Sequence, residues 1–305
     1  MPRSSRVPVR LAAALALLLV ASACSSDEAA PEPAPAPEPA PAPAPEPDPV
    51  PEFLAAMQEA GCARAAVSQA PPYSEISDTG EAGGYLPTLT ATVFAALDVP
   101  ELCSELTTFD AMIPGLQAGR FDVLPGGLNV TAERCEVIIY SQPVTLQYEA
   151  IGVPTGNPKG LTDFASIAAD PSLKLAVFSG SSQEAFALAQ GVSADQIVTV
   201  PDSQLGVEAV KSGRADAFGA GQFTLELSFA QKGEPIEVIA DRASKPSMIG
   251  IGFPKDEVET RDLFDVELAR LRESGELGEL YASFGFPNPD DLGGLDRQDV
   301  SPTCG

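Results

Sequence analysis

The chain has 305 residues, with 43 acidic side chains against 18 basic ones and a formal net charge of −25 at neutral pH. So acidic a balance argues against nucleic acid or an anionic membrane face as a partner and chiefly favours solubility. With no histidine and five cysteines far apart, the usual transition-metal sites and the Ser-His or Cys-His nucleophile systems lack their essential groups, so no metal or other cofactor is expected.

Arg3, Arg6 and Arg10 precede an apolar run, Leu11 to Ala21, that is too short to span a bilayer comfortably and reads as a signal peptide. The run ends in Ala21-Ser22-Ala23-Cys24, which resembles a bacterial lipobox. Cys24 is therefore the expected lipidation site, residues 1–24 the lipoprotein signal, and the lipid the chain's attachment to the outer face of a membrane. Residues 25–51 are almost entirely Ala, Pro and Glu. Such a segment buries little apolar surface and favours extended polyproline geometry, so about 26 residues at about 3.1 Å each form a spacer reaching up to roughly 80 Å.

The remaining stretch of about 250 residues is long enough for two medium-sized lobes. Short apolar segments read as strands over Ala63–Ser68, Glu105–Thr108, Asp122–Leu124, Lys174–Phe178, Gln196–Val200, Asp216–Phe218 and Ile249–Phe253. Amphipathic periodicity predicts helices over Leu86–Leu97, Ala111–Ala118, Gln183–Gln190, Gln204–Ser212 and Asp256–Glu273. This alternation predicts an α/β fold with parallel sheets and helices on both faces. There is also an internal echo: the stretch Ile113 to Val123, with Gly119-Arg120-Phe121-Asp122, recurs in outline as Val207 to Ala217, with Gly213-Arg214-Ala215-Asp216. Each copy reads as a helix stopped by a left-handed glycine and followed by a strand, which points to two similarly built lobes.

Four cysteines remain in an oxidising compartment: Cys62, Cys103, Cys135 and Cys304. Three pairings are possible, with free buried thiols as the alternative. Cys62 and Cys103 open successive predicted strands, and neighbouring parallel strands start side by side. That favours a Cys62–Cys103 bridge, leaving Cys135 to tie down the tail through Cys304.

Thr131-Ala132-Glu133-Arg134 reads as a helix start, with Thr131 as N-cap and Arg134 one turn in, after a Gly126-Gly127 turn. A guanidinium there is a two-pronged donor for a carboxylate, whereas the plainer reading is a surface salt bridge. A second candidate anion socket is Gly180-Ser181-Ser182, between a predicted strand and a predicted helix. Tyr73, after Pro71-Pro72, and Phe109 lie at the carboxyl ends of predicted strands, where open α/β sheets bind ligands; packing in the core is the competing role.

The runs Phe109 to Asp122, Asn129 to Arg134 and Phe178 to Glu184 closely resemble the family 3 solute-binding proteins of ABC importers. The resemblance extends from about Cys62 to Phe284 and is nearest to the ectoine and hydroxyectoine binders. It implies the type II periplasmic binding fold: two Rossmann-like lobes, a central ligand cleft and two interlobe crossings, expected near Leu146 and Ser247. Lobe 1 would then comprise 52–146 and 248–305 with the C-terminal tail, and lobe 2 would comprise 147–247. The resemblance also implies a monomer that delivers a small zwitterion to an importer permease, with Tyr73, Phe109, Gly127, Thr131, Arg134, Ser181 and Ser182 around the ligand. Where amino-acid binders place acids for the ammonium group, this chain has Ala70 and Gly221 or Gln222, and Asn129 stands where ectoine binders carry an aromatic. The ligand is therefore expected either to keep its carboxylate and lack a primary ammonium, or to have its polar end bound by Asn129, Gln69 and Gln222 as neutral partners. The rival enzymatic class on this fold, exemplified by cyclohexadienyl dehydratases, needs a proton donor over the substrate, and the expected cleft positions are neutral. A module that presents ligand to a receptor would carry the same site.

Overall fold

The computed structural model describes residues 49–287, 294 and 296–305. The leader, Cys24 and nearly all of the spacer lie outside these residues. Among the described residues no helix is long and apolar enough to cross a membrane.

In chain order the elements are α1 (Glu52–Ala60), β1 (Cys62–Val67), β2 (Glu75–Ile76), β3 (Ala82–Gly83), α2 (Tyr85–Ala96), β4 (Glu101–Leu106), α3 (Phe109–Gln117), α4 (Ala132–Cys135), β5 (Ile138–Tyr140) and β6 (Thr145–Gln147). There follow β7 (Glu149–Pro154), α5 (Phe164–Ala168), β8 (Leu175–Phe178), α6 (Ser182–Ala189), β9 (Ile197–Val200), α7 (Ser203–Lys211), β10 (Ala217–Gly221) and α8 (Gln222–Ser228). The chain closes with β11 (Ile236–Ala240), β12 (Ser247–Ile249), β13 (Gly252–Pro254), α9 (Val258–Ser274) and α10 (Glu276–Ser283).

These elements form two lobes. In one, β1 pairs in parallel with β4, Ala65 bridges Val123, Leu124 bridges Gly252, and β13 pairs antiparallel with β5. The other holds a five-stranded sheet in the order β11-β7-β10-β8-β9. Between the two systems β6 and β12 lie side by side and antiparallel, Leu146 opposite Met248. The expectation of wholly parallel sheets needs correction: β7 runs antiparallel to both β10 and β11, while β8 is parallel to β9 and β10. The reason is connectivity. Only Tyr148 separates β6 from β7, so β7 enters its sheet directly and not through a helical crossover.

Two predicted strands are broken. Asp122–Leu124 contributes only single bridges, because Pro125 has no N–H to continue a ladder. Ile249–Phe253 divides into β12 and β13 where Ile251 exchanges hydrogen bonds with Ser141, its N–H donating to Oγ at 2.9 Å.

The internal echo proves to be a structural device. Gly119 and Gly213 both end helices in the left-handed region, at φ 68° and 72°. The Asp122 carboxylate then accepts the Arg64 backbone N–H at 2.8 Å, and the Asp216 carboxylate accepts that of Lys174, also at 2.8 Å. In both lobes an aspartate thus accepts a backbone N–H near the start of the neighbouring strand, from the third residue of β1 and from the residue just before β8.

Core packing follows the apolar pattern. Phe94, Phe253 and Phe264 are fully buried edge to face or tilted, and Tyr281 stacks on Phe286 with centroids 4.5 Å apart. Both expected disulfides are present. Cys62–Cys103 joins the paired strands β1 and β4 (Cα–Cα 5.8 Å), and Cys135–Cys304 bolts the C-terminal tail to α4 (Cα–Cα 5.0 Å). Arg297 reinforces that tail through a 2.6 Å ion pair to Asp265.

Candidate functional site

Thr131 caps α4 as its sequence requires: its backbone is extended, and its hydroxyl accepts the Arg134 N–H at 3.2 Å. The helix is a single turn, and the Thr131 carbonyl also accepts the Cys135 N–H, so the Arg134 side chain is the charged donor that this tip carries. Nη1 of Arg134 donates to the Asn129 carbonyl at 2.9 Å, which Tyr140 Oη also reaches at 3.3 Å. Nη2 donates to the Gly180 carbonyl of the other lobe at 3.0 Å. The guanidinium carries five N–H donors and retains capacity beyond these two.

In the second lobe Ser181 caps α6, accepting the Glu184 N–H at 3.2 Å, while the Gly180 N–H donates to the Glu184 carboxylate at 2.7 Å. Ser182 Oγ accepts from Asn129 Nδ2 at 2.8 Å, which leaves its own hydroxyl proton available. Phe109 tilts against Phe178 with centroids 5.1 Å apart, an apolar contact from lobe to lobe.

Arg134, Ser181, Ser182 and Phe109 border one cavity of about 770 Å³. Of the ten expected ligand residues, Phe109, Thr131, Arg134, Ser181 and Ser182 line it. Asn129 lies just behind them, buried, and hydrogen-bonded to Ser182 and Glu149. Gly127, Tyr73 and Gln222 stand off the cavity. Gly127 forms a left-handed turn with its α-carbon side against Tyr73 and Leu86. Tyr73 is buried in the lobe 1 core, its ring on Phe286 and its hydroxyl donating to Gln147 at 2.7 Å. Gln222 turns onto its own helix and donates to Glu226 at 2.8 Å. Gln69 is likewise occupied within lobe 1, its side chain accepting the Ile76 N–H at 2.9 Å.

Several cavity residues were not expected from sequence, and Glu149 is the buried acid among them. Glu149, the first residue of β7, is 3% exposed, and its Oε1 accepts from Asn129 Nδ2 (3.0 Å) and Ser247 Oγ (2.6 Å). Its Oε2 accepts from Gln183 Nε2 at 2.6 Å. Burial pushes this carboxyl above the usual glutamate range, opposed by the Ser247 and Gln183 hydrogen bonds and by the Arg134 charge. The available signal was position: an acid three residues beyond the expected crossing at Leu146 necessarily sits near the junction of the lobes.

A two-lobed α/β body whose lobes meet over a cavity with a guanidinium on one side and a hydroxyl-bearing helix tip on the other defines a binding protein of the type II periplasmic class. The chain belongs to the bacterial extracellular solute-binding proteins, family 3, which it matches over residues 64–287. It is similar to a probable amino-acid ABC transporter periplasmic-binding protein of Sinorhizobium fredii, 28% identical over 260 residues that cover 82% of this chain and 85% of the relative. Among solved structures it resembles EhuB in complex with hydroxyectoine, with 33% identity, a TM-score of 0.78, and coverage of 83% of this chain and 97% of that one. The ancestral amino acid-binding protein AncCDT-1, a precursor of cyclohexadienyl dehydratase, shares the fold at 24% identity and a TM-score of 0.70, covering 76% of this chain and 99% of that one. The family implies a small-molecule ligand and an ABC transporter as partner.

Proposed function

We propose that this protein captures a small carboxylate-bearing zwitterion, an amino acid or an ectoine-like compatible solute, and delivers it to an ABC importer. The observation that carries the reading is the placement of Arg134 from one lobe and Ser181 and Ser182 from the other on a single cavity. The guanidinium takes the carboxylate in a charge-assisted pair, and the Ser182 hydroxyl supplies a donor from the opposite lobe. A ligand held from both sides favours the closed arrangement, so binding shifts the population towards it. The similarity to a hydroxyectoine-bound protein and to an amino-acid importer component supports this ligand class.

In this reading lobe 1 comprises 52–146 and 248–305, and lobe 2 comprises 147–247. The adjacent strands β6 and β12 support crossings at Leu146 and Ser247. The protein acts as a monomer outside the cytoplasm, tethered by lipid at Cys24 through the proline-rich spacer.

Thermal-shift screening of the mature protein against amino acids, ectoines and betaines tests the reading. A ligand at 100 times its dissociation constant adds about 2.7 kcal/mol of stability. Arg134→Ala should abolish that shift, and a full response by the variant would refute the carboxylate site.

A further inference from the structure

Arg134 accounts for the negative end of a zwitterion, and the positive end needs a partner on the same cavity. The positions where an acid was sought hold Ala70 and Gln222, one apolar and the other turned onto Glu226. Glu149 is different. Its carboxylate lines the cavity, and among the described residues it forms no ion pair. Arg134 forms none either, although its charge reaches Glu149. Removing a carboxylate from water without a counter-ion costs several kcal/mol, so such a group is retained where a cation arrives to meet it.

Hydrogen bonding leaves room for that cation. An ionised carboxylate offers about four acceptor sites, and Asn129, Ser247 and Gln183 occupy three, two on Oε1 and one on Oε2. Those donors come from α6, from β12 and from the loop before α4, so both lobes fix the carboxylate's orientation when they meet. The result is one anchored positive group and one anchored negative group, brought together on a single cavity with no ion pair between them.

We propose that Glu149 is the cation-recognising residue of the cleft, its carboxylate receiving the positively charged nitrogen of the zwitterion whose carboxylate Arg134 holds. This rests on the zwitterion reading above and adds to it the source of the second charge, which comes from the strand that follows the interlobe crossing.

The test is calorimetric titration of the wild type, Glu149→Gln, Glu149→Asp and Arg134→Ala with hydroxyectoine, glycine betaine, L-arginine and L-glutamine. Glu149→Gln is nearly isosteric, and a flip of the Gln183 amide can meet its new N–H₂, so the variant should fold and melt cooperatively, no lower than the wild type. For whichever probe the wild type binds, Glu149→Gln should weaken affinity tenfold or more, and Glu149→Asp, which keeps the charge, should recover part of it.

Wild-type affinity should also fall as acid protonates Glu149. The charged groups acting on Glu149 are Arg134 and Asp241, and the acids Asp110, Glu133 and Glu136 share the cavity. Glu149→Gln retains all of them, so the part of the wild-type slope that this variant loses is the part due to Glu149. Glu149→Gln binding within twofold of the wild type, while Arg134→Ala loses binding, overturns this proposal and leaves the carboxylate site standing. A wild type that binds none of the four probes overturns both.

Discussion

Replacing Gly180 with alanine separates lobe closure from lobe stability. Gly180 lies at φ 71°, and a Cβ there would stand 2.8 Å from the Asp110 Cβ and 2.9 Å from its Cα. Carbon atoms in ordinary contact sit about 3.5–4.0 Å apart. Asp110 belongs to α3 of lobe 1 and Gly180 to the loop before α6 of lobe 2, so this conflict exists only when the lobes meet. Alanine in the left-handed region costs roughly 1–2 kcal/mol whether the cleft is open or closed, so that part lowers stability and cancels from affinity. Overpacking of this kind typically costs about 1–3 kcal/mol, which corresponds to roughly 5- to 150-fold weaker binding. Gly213→Ala is the matched control. Its φ is 72° and its Cβ would meet nothing within 4 Å, so it should lose similar stability with no change in affinity. Calorimetric titration with the zwitterion found by screening, alongside thermal melts, reads both quantities. Equal affinities for Gly180→Ala and the wild type would show that closure does not bring these segments together.

The double variant Cys135→Ser/Cys304→Ser should lose about 2–5 kcal/mol of stability in chemical denaturation, because the bridge closes a chain separation of 169 residues. It should also weaken the ligand-induced shift, since the tail braces the helix that carries Arg134; unchanged values for both would refute the bracing role. For acid stability the sign follows from Glu149. Its raised pKa means the folded state binds this proton more tightly than the unfolded state. The burden of the ionised group is therefore present above the raised value and is relieved as pH falls through it. Glu149→Gln should melt higher than the ligand-free wild type at pH 7, with the gap narrowing towards acid pH, and a constant gap would refute the assignment.

Local chemistry made much of the molecule legible. Thr131 announced a helix start by its capping hydroxyl, Gly180-Ser181-Ser182 announced another, and the twin Gly-Arg-x-Asp joints announced two lobes built alike. What stayed hidden depends on contacts distant in sequence. Tyr73 follows two prolines at the end of a predicted strand, a ligand-facing position by sequence, yet Phe286, more than two hundred residues later, supplies the surface it packs on. Glu149 lies outside every strand, helix and site residue predicted from sequence. Only the insertion of β7 between β11 and β10, with Gln183 and Asn129 donating to Glu149, makes it a buried cleft acid.

The charges around the cavity constrain the ligand further. Arg134 is the single basic residue among the described lining residues, while Asp110, Glu133 and Glu136 stand exposed at the rim and Glu149 lies inside. A rim of one sign repels like charge over about a Debye length, roughly 8 Å at physiological salt. A dicarboxylate would cross that acidic rim to find one guanidinium and then meet a buried carboxylate. A dipolar ion crosses it without net repulsion and finds a partner for each end. The same acidity that excludes polyanionic partners at the level of the whole chain thus acts at the cleft as a filter for ligands whose positive charge at least equals their negative charge.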